Sequence, residues 1–141
     1  MIPDAGLKSV SLDTSVLLRL LTGLPEHQAA IARDFFTEQL ALGTTVEVGD
    51  LVLSEAYFAL QSSYEIPKKE AAELLVSFSE TSGAVFSENA VSVLSIPNLA
   101  SAKPGFVDRL IHGACREKGQ TWVTFEKAGK RLPGTVVLGG K

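Results

Sequence analysis

Residues 10–23 read VSLDTSVLLRLLTG, and this stretch decides the fold. Val10-Ser11-Leu12 alternates apolar and polar side chains with the period of a strand. Asp13 ends that alternation. From Thr14 or Ser15 to Leu21 the spacing changes to that of a helix, and Gly23 supplies a stop. A strand that runs straight into a helix is the opening of a crossover unit, the building block of parallel sheets.

The same alternation continues along the chain. Pro25 suits the first turn of a second helix carrying Ile31, Phe35, Phe36 and Leu40 and ending near Gly43. Val46 to Val48 reads as a strand, and Asp50 as the N-cap of the helix that follows. Pro67 opens another helix with Ala71, Leu74, Leu75 and Phe78 inward. Residues 84–86 read as a third strand and 88–94 as a short helix. Pro97 to Gly105 reads as a loop. A helix is expected from about Phe106 to Lys118, stopped at Gly119. Strands follow over 122–125 and 135–138. The expected class is α/β: a three-layer α/β/α sandwich around a mostly parallel sheet of about five strands, formed by residues 1–141 as one domain.

The 141 residues suffice for a core without staples. The sole cysteine, Cys115, excludes an internal disulfide and fits a reducing, cytoplasmic setting. No run of about 18 apolar residues is present, so no membrane span is expected. The opening Met1-Ile2-Pro3-Asp4-Ala5-Gly6 lacks the layout of a signal peptide. Charge is uneven. Residues 1–100 hold 5 Lys/Arg against 13 Asp/Glu, whereas residues 101–141 hold 8 against 3. An acidic first part with a basic end suits a metal-binding pocket beside a polyanion-binding rim, or simply an uneven solvated surface.

Four acids stand where carboxylates are costly. Asp13 separates an apolar strand from the run Val16-Leu17-Leu18. Glu55 has Leu51, Val52, Phe58 and Ala59 three and four residues away. Asp108 begins a helix whose apolar stripe is Val107, Leu110, Ile111, Ala114 and Cys115. Glu126 follows Trp122-Val123-Thr124-Phe125. A charge beside an apolar face costs several kcal/mol unless it is neutralised. In open parallel sheets ligands bind beyond the carboxyl ends of the strands, and all four acids are expected there. Each has a plainer reading. Asp13 suits an N-cap, Asp108 suits a helix dipole, and Glu55 and Glu126 could be surface acids.

The segments SLDTSVLLRLLTG, VLSEAYFAL, FVDRLIHGACREKG and TWVTFEKAGKRLPG, in this order, resemble the four motifs of PIN-domain nucleases, and among them the VapC-type toxins of toxin–antitoxin pairs. The resemblance spans essentially the whole chain. It implies a metal-dependent ribonuclease whose acids fall on Asp13, Glu55, Asp108 and Glu126. Two positions depart from the family pattern: Ser15 stands where Asn is usual, and Glu126 where Asp is usual. The resemblance also implies an RNA substrate, a small antitoxin that covers the groove, and a homodimer formed through early helices.

The chemistry is consistent with that implication. Carboxylate oxygens are the donors that Mg²⁺ and Mn²⁺ prefer, and metal-bound water is a nucleophile for phosphodiester hydrolysis. Thr14, Ser15 and Thr124 carry hydroxyls suited to orienting the carboxylates. Arg109, Lys127 and Lys130 are the expected partners of RNA phosphates. His112 reads as a helix-surface residue, and Trp122 and Phe125 as core. Two His and one Cys do not make a structural zinc site. Asp-Thr-Ser after a strand also suits a phosphotransferase with Asp13 as nucleophile, but that chemistry wants an acid at position 15. The standing rival is a PIN-like RNA- or protein-binding module with a weakened site, to which Ser15 and Glu126 both point.

Overall fold

A computed structural model of the chain describes residues 8–139. The opening hexapeptide lies outside the described residues. The chain divides into two compact units, Met1–Ser87 and Glu88–Lys141.

The first unit contains β1 (Ser9–Ser11), α1 (Thr14–Thr22), α2 (Glu26–Ala41), β2 (Thr45–Val48), α3 (Asp50–Ser62), α4 (Lys68–Thr81) and β3 (Val85–Phe86). The strands pair in the order β1-β2-β3, all parallel, with Val10 opposite Val46 and Val48 opposite Phe86. This is the outcome that helical crossovers impose. Helix α1 stops at Gly23, which takes the left-handed conformation (φ 72°) and donates its N–H to the Arg19 carbonyl. Leu17, Leu53, Leu60, Val46 and Val48 are buried in the core of this unit.

Two details differ from the expectation. Pro25 and Pro67 each stand one residue before their helix, in the cap position. Gly49, not Asp50, caps α3. Asp50 lies in the first turn, where the helix dipole favours a carboxylate, and it accepts a 2.6 Å hydrogen bond from the Ser87 hydroxyl.

The second unit contains α5 (Glu88–Leu94), a 3-10 turn (Leu99–Ser101), α6 (Phe106–Glu117), β4 (Trp122–Thr124), a second 3-10 turn (Lys127–Arg131) and β5 (Thr135–Val137). Strands β4 and β5 are parallel, with Trp122 opposite Thr135 and Val123 opposite Val136. Helices α5 and α6 pack together. The Asn89 carboxamide donates to the Leu110 carbonyl at 2.9 Å, and it fills the space that any side chain at Gly113 would need. The second 3-10 turn lies directly over the sheet. A Cβ at Gly129 would come within 2.9 Å of the Thr124 methyl and 3.3 Å of the Trp122 ring.

Mixed α/β structure with mostly parallel pairing is the expectation, and among the described residues every strand pair is parallel. Among the described residues the five strands are shared between a three-stranded and a two-stranded sheet. Among the same residues, no helix is long and apolar enough to cross a membrane.

Candidate active site

Asp13 lies between β1 and α1, in extended conformation (φ −78°, ψ 160°), and makes no capping hydrogen bond to the helix. Its Oδ2 instead accepts the Ser15 hydroxyl at 2.9 Å. That bond first, and then the nearby backbone N–H groups of Thr14 and Ser15, hold the exposed carboxyl below the usual aspartate range against a weaker effect of desolvation. Asp13 is therefore a stable anion.

Glu55 lies inside α3. Its neighbours Leu51 and Phe58 are exposed, while Leu53, Ala56, Tyr57 and Leu60 face the core. The glutamate is thus on the outer side of its helix, not among buried side chains. Thr14 reaches across from α1 and donates its hydroxyl to Glu55 Oε1 at 2.9 Å. Consecutive hydroxyls at the start of α1 therefore address two different acids: Ser15 holds Asp13, and Thr14 holds Glu55.

In the second unit, Asp108 occupies the first turn of α6 and is half-buried. Burial chiefly, and the charge of Glu126 in addition, raise its carboxyl above the usual range. Glu126 follows β4 and caps the second 3-10 turn, with its Oε1 accepting the Ala128 N–H at 3.3 Å. Its own N–H donates to Thr124 Oγ1 at 3.0 Å. The backbone beside Glu126 is thereby fixed by a strand residue.

Among the described residues, no three or more His, Cys, Asp or Glu side chains are grouped closely enough to hold an ion. Within each unit the acids stand in local arrangements: Asp13 and Glu55 tied to adjacent hydroxyls, Asp108 in the field of Glu126. The donor chemistry is uniformly hard oxygen, which fits a Mg²⁺-class cation rather than zinc.

The basic residues divide. Lys127 and Lys130 are exposed on the turn after Glu126. The Arg109 guanidinium is engaged by its own loop, with Nε donating to the Pro104 carbonyl at 2.6 Å and Nη2 to the Lys103 carbonyl at 3.2 Å.

Two aromatic-region readings change. Trp122 is buried, but Phe125 is 76% exposed, because only one face of the β4–β5 pair is covered and Phe125 follows Val123 on the other. His112 is not at the surface: it is 8% exposed, with Nε2 2.6 Å from the Pro133 carbonyl and its ring edge-on to Trp122. Nothing in the sequence pattern marks Gly129, whose lack of a side chain lets the turn behind Glu126 lie on the sheet. The only available signal is a small residue between the basic pair Lys127 and Lys130.

The chain is mixed α/β with parallel strands, with Asp13 and Glu126 just past strands and Asp108 in the first turn of a helix. Residues 10–134 match the PIN domain family, and the chain belongs to it. PIN domains are generally nucleases, commonly ones that use divalent metals, and they act on nucleic acid. Comparison with curated proteins and with solved structures finds no match.

Proposed function

We propose that this chain is a Mg²⁺- or Mn²⁺-dependent endoribonuclease, with Asp13, Glu55, Asp108 and Glu126 as its metal-binding carboxylates. The observation that carries the reading is the state of Asp108. It is a half-buried carboxyl whose proton affinity is raised by burial and by a second acid, the kind of group whose charge a cation offsets. When bound, the ion supplies a Lewis acid that lowers the pKa of a water and stabilises the leaving oxygen.

The chain's own residues do the rest. Ser15 and Thr14 hold the Asp13 and Glu55 oxygens in fixed directions, so less ordering is needed when a ligand arrives. Thr124 holds the Glu126 backbone, and the Ala128 N–H holds its carboxylate, which offsets the extra freedom of the longer side chain. Lys127 and Lys130 attract the phosphate backbone. Arg109, committed to two carbonyls, acts as a fixed positive charge.

The four-motif resemblance supports the finer reading of a VapC-type toxin acting in the cytoplasm, paired with a small antitoxin and forming a homodimer. Helices α1 and α2 border a groove of about 730 Å³ lined by Val16, Arg19, Ile31, Ala32, Phe35 and Glu38, an apolar floor suited to such a partner.

RNA cleavage that requires Mg²⁺, stops with EDTA and is lost in Asp13→Ala is the expected result. Activity that survives either change sinks the reading. Calorimetry with Mn²⁺ separates it from the binding-module rival: stoichiometric uptake supports the enzyme, and no uptake up to millimolar metal supports the module.

A further inference from the structure

We propose that His112 is a positioning residue: its bond to the Pro133 carbonyl sets where α6, and so Asp108, stands relative to Glu126. The functional consequence rests on the metal-nuclease reading, whereas the tie itself stands apart from it.

His112 lies four residues after Asp108 on α6 and four before Arg116, so the three share one helix face. Its partner is a carbonyl, which can only accept, so Nε2 carries the proton and donates across 2.6 Å. The donor ring is buried while Pro133 is exposed, so the bond is part-buried. A hydrogen bond away from bulk water is electrostatically stronger than one at the surface. The ring also meets Trp122 edge-on, at 5.7 Å between centroids.

From Pro133 the connection runs on without a break. Gly134 is next in the chain, and its carbonyl accepts the Trp122 N–H at 3.0 Å, which starts β4. Thr124, the last residue of β4, accepts the Glu126 N–H at 3.0 Å. Glu126 in turn caps the turn that lies on Trp122 and Thr124 through Gly129. The exposed Arg116 guanidinium also lies over Gly134, a left-handed glycine (φ 67°), in the space a side chain there would take. One face of α6 therefore meets the Pro133–Gly134 turn, tied to it by the His112 bond, and that turn begins the path to Glu126. Helix-borne Asp108 and loop-borne Glu126 are thus linked through this turn as well as through the His112–Trp122 ring contact.

Two polar variants separate the reach of the donor from packing. In His112→Gln the amide nitrogen extends to the place of Nε2. In His112→Asn it falls short. Mn²⁺ affinity by calorimetry and Mg²⁺-dependent RNA cleavage are measured on wild type and both variants, with hydrogen exchange of the Trp122 amide read in parallel. Expected are weaker metal binding in H112N, by up to about the tenfold lost when a direct outer partner of a ligand is removed, and near-wild-type binding in H112Q. Faster Trp122 exchange is expected in H112N alone. Equal metal affinity in all three proteins overturns the positioning role. Unchanged Trp122 exchange in H112N overturns the tie itself. If wild type takes up no Mn²⁺, the metal reading has failed, and the exchange data still decide the tie. Should H112N not fold, Gly134→Ala strains the same turn through its left-handed backbone (φ 67°) with His112 intact, and it is expected to weaken metal binding likewise.

Discussion

Replacing Gly129 by alanine tests how the turn behind Glu126 is held. The added methyl would stand 2.9 Å from Thr124 Cγ2, 3.2 Å from Thr135 Cγ2 and 3.3 Å from Trp122 Cζ3. None of these atoms is the free end of a flexible chain. The threonine methyls are one bond from Cβ on two paired strands, and Trp122 is buried and edged by His112. Accommodation requires the turn to lift or a threonine to change rotamer, and overpacking of this kind costs about 1–3 kcal/mol. Alanine also restricts the unfolded chain, which returns about 0.4–1 kcal/mol where the backbone suits it. The clash wins, leaving a net loss of roughly 0.5–2 kcal/mol. Urea unfolding read by the emission of Trp122, the sole tryptophan, measures this directly. At a urea dependence of about 1–3 kcal/mol per molar the midpoint falls by roughly 0.2–2 M. Because Thr124 also holds the Glu126 N–H, the proposed metal-dependent activity predicts that the Mg²⁺ needed for half-maximal cleavage rises in the same variant. A Gly129→Ala protein as stable as wild type would refute the claim that this turn rests on the sheet.

Asp108→Asn separates stability from metal binding. Burial and Glu126 raise the folded carboxyl above its unfolded value of 3.8, so the native state binds that proton more tightly. The contribution to stability is full below that unfolded value and is lost as pH rises through the raised folded value. Asn removes this loss, so thermal midpoints recorded from pH 4 to 7 fall less steeply with pH than in wild type, while Mn²⁺ uptake drops. Thr14→Val removes the exposed bond to Glu55 at a stability cost of about 1 kcal/mol or less. Its Mn²⁺ affinity, measured by calorimetry, falls about tenfold, and Thr14→Ser restores most of it. Lys127→Ala with Lys130→Ala makes RNA binding less sensitive to salt. The slope of log affinity against log salt, read from filter binding, flattens by about 0.7 for each phosphate no longer neutralised. An unchanged slope places the phosphate-binding cations elsewhere.

Local signals in the sequence identify most of the elements. Gly23 after Leu21 marks the end of α1, and residues 88–94 form the short helix their pattern implies. The hydroxyls at 14 and 15 are visible beside Asp13, but their division between Asp13 and Glu55 is not, since Thr14 meets a residue 41 positions away. His112 illustrates the same limit. One turn after an acid on a helix it reads as a surface residue, and only Pro133, 21 positions later, makes it an interior donor. Phe125 is misread for another reason. Alternation shows which residues share a face, not whether that face is covered, and here Trp122 took the covered side. Arg109 is drawn away from solvent by carbonyls of a loop whose course is not written in any periodicity.

Asn89 and Gly113 carry a consequence for how this sequence can drift. The carboxamide that holds the Leu110 carbonyl occupies the volume a methyl at 113 would need. Alanine at 113 is favoured by helix propensity alone by about 1 kcal/mol, yet it would push the Asn89 carboxamide off the Leu110 carbonyl. The two positions form a lock in which neither single change is neutral. Substitution at 89 by a smaller residue would have to come with, or just before, the loss of glycine at 113. Descendants of this chain should therefore keep both residues or exchange both.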